Sequence, residues 1–510
     1  MTAPALPPPA LHPKTQEEGA SDIGRRAAGG ALWTIGARLL PRLAGLLSLT
    51  LMARLLTPAD FGVVTLAMAL MLALQAFSDL GLNAVLIHDQ EAGRDHYDTV
   101  WTLTLLRGIL IASGLWFGAG WAAEFFAAPA LAPIAKALAL GALMEGLRSP
   151  AAVNLVKGLD FRRDALYVAL PRLVQTFSSM GLALALWPDS RALTGGILIG
   201  GALGLILSYR LAPWRPRFTF RALGEVIDYA KWMFAFNVVE FLRQKFDALL
   251  IGRMLGPGAV SLYLLAHELA HLAATEIAAP ARRALLPGYA KLQNDLSALR
   301  RDFGVTFAAV ALAAAPMAAG VALIADPLVA FAFGPQWTEA APVLRILALA
   351  GFCTAAAGNC QPVLMATGAP KGLAPISLAS LAVGASGMAL GLKLNGLQGG
   401  AWGVVAMSGV YLSLNLRAAL KRLDLPLRAA LAPGRRIPWA TAAMALVVWT
   451  GLRLAPEGTP PVLLCLAAAG LGAAAYMAAL WGLWRAAGRP EGVESLGFGL
   501  AARLLRRKAA

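Results

Sequence analysis

Apolar runs of about 20 residues recur from Ala31 almost to the C-terminus, separated by Pro/Gly clusters and short basic stretches. Wound as a helix at 1.5 Å per residue, a run of that length crosses a hydrocarbon core of about 30 Å. Only 14% of the 510 residues are charged and 58% are hydrophobic, with a mean hydropathy of +0.64. Ordinary soluble domains carry roughly 25% charged residues. The expected fold class is therefore an all-α polytopic membrane protein.

Turn residues and charge runs divide the chain into about fourteen spans, the first centred near residue 41 and the last near 473. Lys and Arg concentrate in the two tails and in alternate loops, such as "VKGLDFRR", "RLAPWRPRFTFR" and "RAALKRLDLPLRAALAPGRR". The other loops hold only Arg54, Arg191, Arg253, Lys393 and Arg453. Basic residues near span ends stay cytoplasmic, so both termini are expected inside. The net charge of +16 follows topology and calls for no nucleic-acid partner. Cys353, Cys360 and Cys465 lie in apolar runs without metal or disulfide spacing and read as small core residues. Trp33, Trp101, Trp121 and Trp439 lie near span ends and read as interfacial anchors.

An internal repeat is visible. "MARLLTPADFGVVTLAMAL" (52–70) aligns with "IGRMLGPGAVSLYLLAHEL" (251–269), each carrying Arg-x-Leu-x-Pro at a short turn before an apolar helix. The offset of 199 residues spans six helices, so the copies run parallel, as in transporters built from two lobes around a midplane site. The expected organisation is a disordered cytoplasmic tail (1–28), a six-helix lobe (29–210), a cytoplasmic linker (211–225) and a second six-helix lobe (226–420). A basic loop (421–436), two additional helices (437–486) and a basic tail (487–510) complete it, the tail resting against anionic membrane lipids.

The blocks "ARLLTPADFG", "FSDLGLNAVLIH", "NLVKGLDFRRDAL", "FDALLIGRMLGPGAVSLYLLAHEL", "PGYAKLQND" and "FGPQWTEAAPVLRILALAG" run in order between roughly residues 30 and 420. As a set they resemble the bacterial polysaccharide flippases, the Wzx-like and exopolysaccharide exporters of the MOP superfamily. The resemblance implies two six-helix lobes around a central cavity plus two C-terminal helices, in the bacterial inner membrane. It also implies export of an undecaprenyl-pyrophosphate-linked oligosaccharide by alternating access coupled to H⁺ or Na⁺, with no other cofactor. Polysaccharide polymerase and glycosyltransferases are the implied partners. A multidrug exporter of the same fold is the alternative, because fold alone does not name a substrate.

Ionisable residues inside the spans are the candidate sites, since a charge at mid-bilayer costs about 3 kcal/mol or more and usually faces a cavity. Arg38 and Arg42 share a face of the first span and, with Arg243, are the candidates for the pyrophosphate, which a guanidinium can fork onto. In the seventh span Glu240, Arg243 and Asp247 fall within about 60° of one another, with Lys245 and Lys231 roughly opposite. Asp79, Glu240, Asp247 and Glu268 are the ion-coupling candidates.

"AHELAHLAATE" (266–276) contains His267-Glu268-Leu269-Ala270-His271, the HExxH spacing of zinc peptidases. A third ligand is wanting: Glu276 falls about 140° around the helix and about 7.5 Å beyond His271. No GxSxG elbow or Walker loop is present either. The chain is expected not to be an enzyme. His267 and His271 share a face and titrate in the physiological range, which makes them candidates for pH sensing.

Overall fold

A computed structural model of the chain describes residues 40–489 except 42–43, 46, 77, 79–85, 87–92, 158–159, 224–244, 273, 276–284, 286–288, 290–294 and 368–372. Among the described residues all regular structure is helical. Eight of the helices among the described residues are long and apolar enough to cross a membrane. The expected all-α polytopic class is thus what the chain adopts. The chain divides into two compact units, residues 1–49, 74–117 and 136–237 forming one, and 50–73, 118–135 and 238–510 the other.

The first unit holds most of α2 (Arg94–Phe125), most of α3 (Leu131–Gly146), α4 (Phe161–Ala185) and α5 (Ser190–Leu211). Asp160 starts α4 by accepting from the Arg163 amide at 3.1 Å, and Asp189 starts α5 by accepting from the Arg191 amide at 2.8 Å. Each satisfies a donor that the first helical turn leaves open. The two helices then pack backbone to backbone, because Gly196 and Gly200 of α5 sit against Ser179, Gln175 and the Pro171 carbonyl of α4. Close approach through small residues is how helices associate where lipid removes the hydrophobic driving force.

Residues 213–222, which lack regular structure up to a turn at 221–222, are fastened to the first turns of α2. The buried Asp98 carboxylate accepts from Trp214 Nε1 (2.8 Å) and the Arg217 amide (3.3 Å), and Arg94 lies 3.5 Å away. Thr102 Oγ1 accepts from the Thr219 amide (3.2 Å) and Thr99 Oγ1 from the Ala222 amide (3.3 Å). Trp101, expected as an interfacial anchor, is instead buried and meets the Phe218 ring edge-on at 5.2 Å. Trp121 and Trp439 are exposed on their helices, as anchors require. Asp98→Ala would strand the Trp214 and Arg217 donors, and is expected to destabilise the protein by about 1–3 kcal/mol. Thermal unfolding in detergent, compared with a Thr219→Ala control, reads the effect.

The second unit contains α1 (Pro58–Ala76) up to Ala73, α6 (Pro257–Ala270), α7 (Leu296–Leu323), the short α8 (Ala325–Ala332), α9 (Ala340–Ala357), α10 (Leu373–Leu423), α11 (Ile437–Leu454) and α12 (Pro461–Ala486). The helix α10 is two helices in one: Asn395 leaves helical geometry and Gly396, at φ +52°, makes a turn that a side chain would resist. Its arms fold back so closely that a Cβ on Gly399 would lie 2.0 Å from the Gly391 carbonyl oxygen. The two arms are thus separate spans joined by the turn at Gly396. Tyr289, Leu299, Phe303, Cys360 and Leu423 form a buried cluster. Met444 and Val448 of α11 pack with Ala468, Tyr476 and Leu480 of α12, and Tyr476 OH donates to the Leu312 carbonyl of α7 at 2.8 Å. Leu446, Leu454 and Leu466 point outward on these helices, as a lipid-facing surface demands.

The start of α1 and the start of α6 are the two copies of the repeat, and they begin differently. Thr57 Oγ1 accepts from the Asp60 amide at 3.3 Å while the Asp60 carboxylate accepts from the Thr57 amide at 3.1 Å, a reciprocal cap. The equivalent of Thr57 is Gly256, at φ +84°, and each copy then places Pro at the first helical position.

Candidate functional site

Two constellations stand out in the second unit. The first lies on α6, where Tyr263, His267 and His271 recur every four residues and so share one face. Tyr263 is fully buried, and its hydroxyl donates to Asp247 Oδ2 at 2.7 Å across the turn at Gly256. Asp247 Oδ1 accepts from the Ala248 amide at 2.8 Å. The Tyr263 and His267 rings are 5.7 Å apart, and the His267 and His271 rings stack at 3.8 Å with planes 19° apart. His271 Nδ1 lies 3.0 Å from the His267 carbonyl oxygen. A carbonyl only accepts, so Nδ1 carries the hydrogen, and Nε2 of a neutral His271 is left as acceptor.

Asp247, Tyr263, His267 and His271 therefore form a line of groups that can each hold or pass a proton. The charge of Lys245 acts on both Asp247 and His267. Glu268 is exposed and takes no part. Arg38, Arg42, Asp79, Glu240 and Arg243 lie outside the described residues. Tyr263, which joins Asp247 to the histidines, carries no formal charge and so does not stand out among the ionisable residues of the spans; its spacing four residues before His267 is the signal in the sequence.

The HExxH spacing makes a stacked imidazole pair here. The motif's own carboxylate, Glu268, points elsewhere, and among the described residues no three His, Cys, Asp or Glu side chains group as a metal set.

The second constellation is formed where the repeat copies meet. A Cβ on Gly62 would lie 1.8 Å from the Pro257 carbonyl oxygen, so the α1 backbone rests directly on the start of α6. Ser261 Oγ donates to the Pro58 carbonyl at 2.5 Å. Pro58 corresponds to Pro257 and Gly62 to Ser261, so these are one contact made twice with the partners exchanged. A second exchanged pair flanks it. Arg54 Nη2 donates to the Phe331 carbonyl at 2.7 Å, while the guanidinium of its counterpart Arg253 lies over the Phe125 ring at 5.0 Å. Phe125 and Phe331 each precede a proline by four residues at a helix end. Trp337 Nε1 closes the same region by donating to the Ala53 carbonyl at 2.7 Å. Such an exchanged contact set is what a two-fold relation between the copies produces.

The family described as "Polysaccharide biosynthesis protein" matches residues 51–342, more than half of the chain and both repeat copies. The chain belongs to that family. This polysaccharide biosynthesis protein is 23% identical over 348 residues to the lipopolysaccharide biosynthesis protein WzxC of Escherichia coli (strain K12), covering 68% of the chain and 70% of WzxC. It is 24% identical over 351 residues to the teichuronic acid biosynthesis protein TuaB of Bacillus subtilis (strain 168), covering 68% and 72%. Its fold is that of the lipid II flippase MurJ in an inward closed conformation, with a TM-score of 0.70 at 15% identity over 89% of the chain and 99% of MurJ.

Proposed function

We propose that the protein flips an undecaprenyl-pyrophosphate-linked oligosaccharide across the bacterial inner membrane by alternating access, with both termini cytoplasmic. The observation that carries this reading is the exchanged contact set at Gly62/Pro257 and Ser261/Pro58. Its partners lie at turns that the distribution of Lys and Arg assigns to the outer face, so the contact acts as an outer gate. A gate made of interlocking backbone is bistable, because packed surfaces either engage or separate.

The line Asp247, Tyr263, His267 and His271 begins ten residues before the Pro257 turn and continues along α6. Protonation there couples gate opening to the proton gradient, with Na⁺ at the Asp247 carboxylate as the alternative ion. Arg38, Arg42 and Arg243 supply the cations for the pyrophosphate. Glycosyltransferases provide the substrate inside, and a polymerase consumes it outside.

The test uses proteoliposomes containing lipid-linked oligosaccharide, with translocation read by access of a glycan-modifying reagent. The wild type is expected to raise access, and Arg38→Ala with Arg42→Ala to lower it about tenfold or more, as loss of charge-assisted phosphate contacts implies. Drug efflux with no glycan translocation, unaffected by the double substitution, would instead mark a multidrug exporter.

A further inference from the structure

The first unit contains a cavity of about 250 Å³ that none of the residues above explains. Trp101 and Arg107 of α2, Glu145 at the end of α3, Arg148 just beyond it, and Asp164 and Tyr167 of α4 line it. It is slightly smaller than the roughly 300–1,000 Å³ of pockets for drug-sized ligands.

The two arginines differ in their commitments. Arg107 is tethered: Nε donates to Ser78 Oγ at 3.2 Å and Nη2 to the Gln75 carbonyl at 3.0 Å. Gln75 in turn donates to Glu145 Oε2 at 2.9 Å, which fixes that carboxylate in the wall. Arg148 is in hydrogen-bond contact with Tyr167, yet its Nε is buried and has no acceptor. Its head lies against Gly204 of α5, where a Cβ would come within 2.9 Å of Nη2. The guanidinium is thus held firmly in the wall by packing and by Tyr167, with no carboxylate paired to it among the described residues.

The lining selects the ligand's chemistry. Glu145 and Asp164 oppose a free anion, which the two guanidiniums alone would have suited. Donors and acceptors set side by side fit a group whose every hydroxyl both donates and accepts. The Trp101 indole adds an apolar wall. We infer that this cavity is a binding site for one neutral sugar ring, whose hydroxyls meet the Arg107 and Arg148 guanidiniums and the Glu145 and Asp164 carboxylates. The inference rests on the flippase reading for its biological meaning, since the ring would be one unit of the transported glycan, but the binding itself is measurable without transport.

The experiment is saturation-transfer NMR on the purified full-length protein in detergent. The probes are methyl glycosides of a hexose, a 6-deoxyhexose and an N-acetylhexosamine, with inorganic pyrophosphate as the anionic arm. At least one glycoside is expected to bind, to resist displacement by pyrophosphate, and to weaken about tenfold or more in Arg148→Met, as loss of one charged hydrogen bond implies. Glu145→Gln, which keeps the Gln75 contact possible, should weaken the same glycoside and guards against a folding defect in Arg148→Met. No Arg148-dependent glycoside signal, or displacement by pyrophosphate, overturns the inference. Flipping that persists without glycoside binding sinks the sugar site alone, and glycoside binding without flipping sinks the flippase reading alone.

Discussion

Gly62→Val is expected to abolish glycan flipping while leaving the protein folded. Even the Cβ of alanine would fall 1.8 Å from the Pro257 carbonyl oxygen and 2.3 Å from its carbon, which are backbone atoms that no rotamer change can remove. The two repeat copies must then stay apart at this point. Overpacking of this kind costs typically 1–3 kcal/mol and here bears on the closed gate alone, so the closed gate should lose about 5- to 150-fold in population. Gly62→Ala should show the same defect, and Ser261→Ala a much milder one, because it removes a single hydrogen bond and no packing. Flipping rates and reagent access to an outer cysteine would be measured together; full flipping by Gly62→Val would remove the gate from the account.

Asp247→Asn is the second large effect. Asparagine can still accept from Tyr263 OH, so the turn between the two helices keeps its bond while the titratable carboxylate is gone. Loss of one coupled proton forfeits about 2.3 kcal/mol per 100 mV of membrane potential, roughly 50-fold in the gradient the carrier can sustain. Substrate binding should survive, and flipping should cease to respond to an imposed pH or potential step. Tyr263→Phe should weaken that response without abolishing it, since Asp247 remains and only its connection to His267 and His271 is cut. A wild-type response in Asp247→Asn would place coupling elsewhere, with Glu240 as the next candidate.

The fold was legible because long apolar runs admit few alternatives in a membrane, and the repeat was legible because Arg-x-Leu-x-Pro marks a turn and a helix start in both copies. What the repeat means mechanically was hidden. Gly62 and Ser261 are unremarkable residues until their partners are known, and the exchange of contacts between Pro58 and Pro257 is a property of three dimensions. The HExxH spacing is ambiguous for a related reason: i, i+4 histidines on a helix can hold a metal or stack, and here the rings stack. Arg148 and Asp164, near the ends of helices, look like charges that set topology, and nothing in their spacing shows that α2, α3 and α4 close around them with Trp101 inside. Arg38, Arg42, Asp79, Glu240 and Arg243 rest on sequence alone.

The most direct measurement of the central claim traps the gate. With Cys353, Cys360 and Cys465 replaced, Pro58→Cys and Ser261→Cys are bridged by a short bis-methanethiosulfonate in proteoliposomes carrying lipid-linked oligosaccharide. Alternating access through this gate predicts that bridging stops flipping and that dithiothreitol restores it. Flipping at the unbridged rate in fully bridged protein would contradict it.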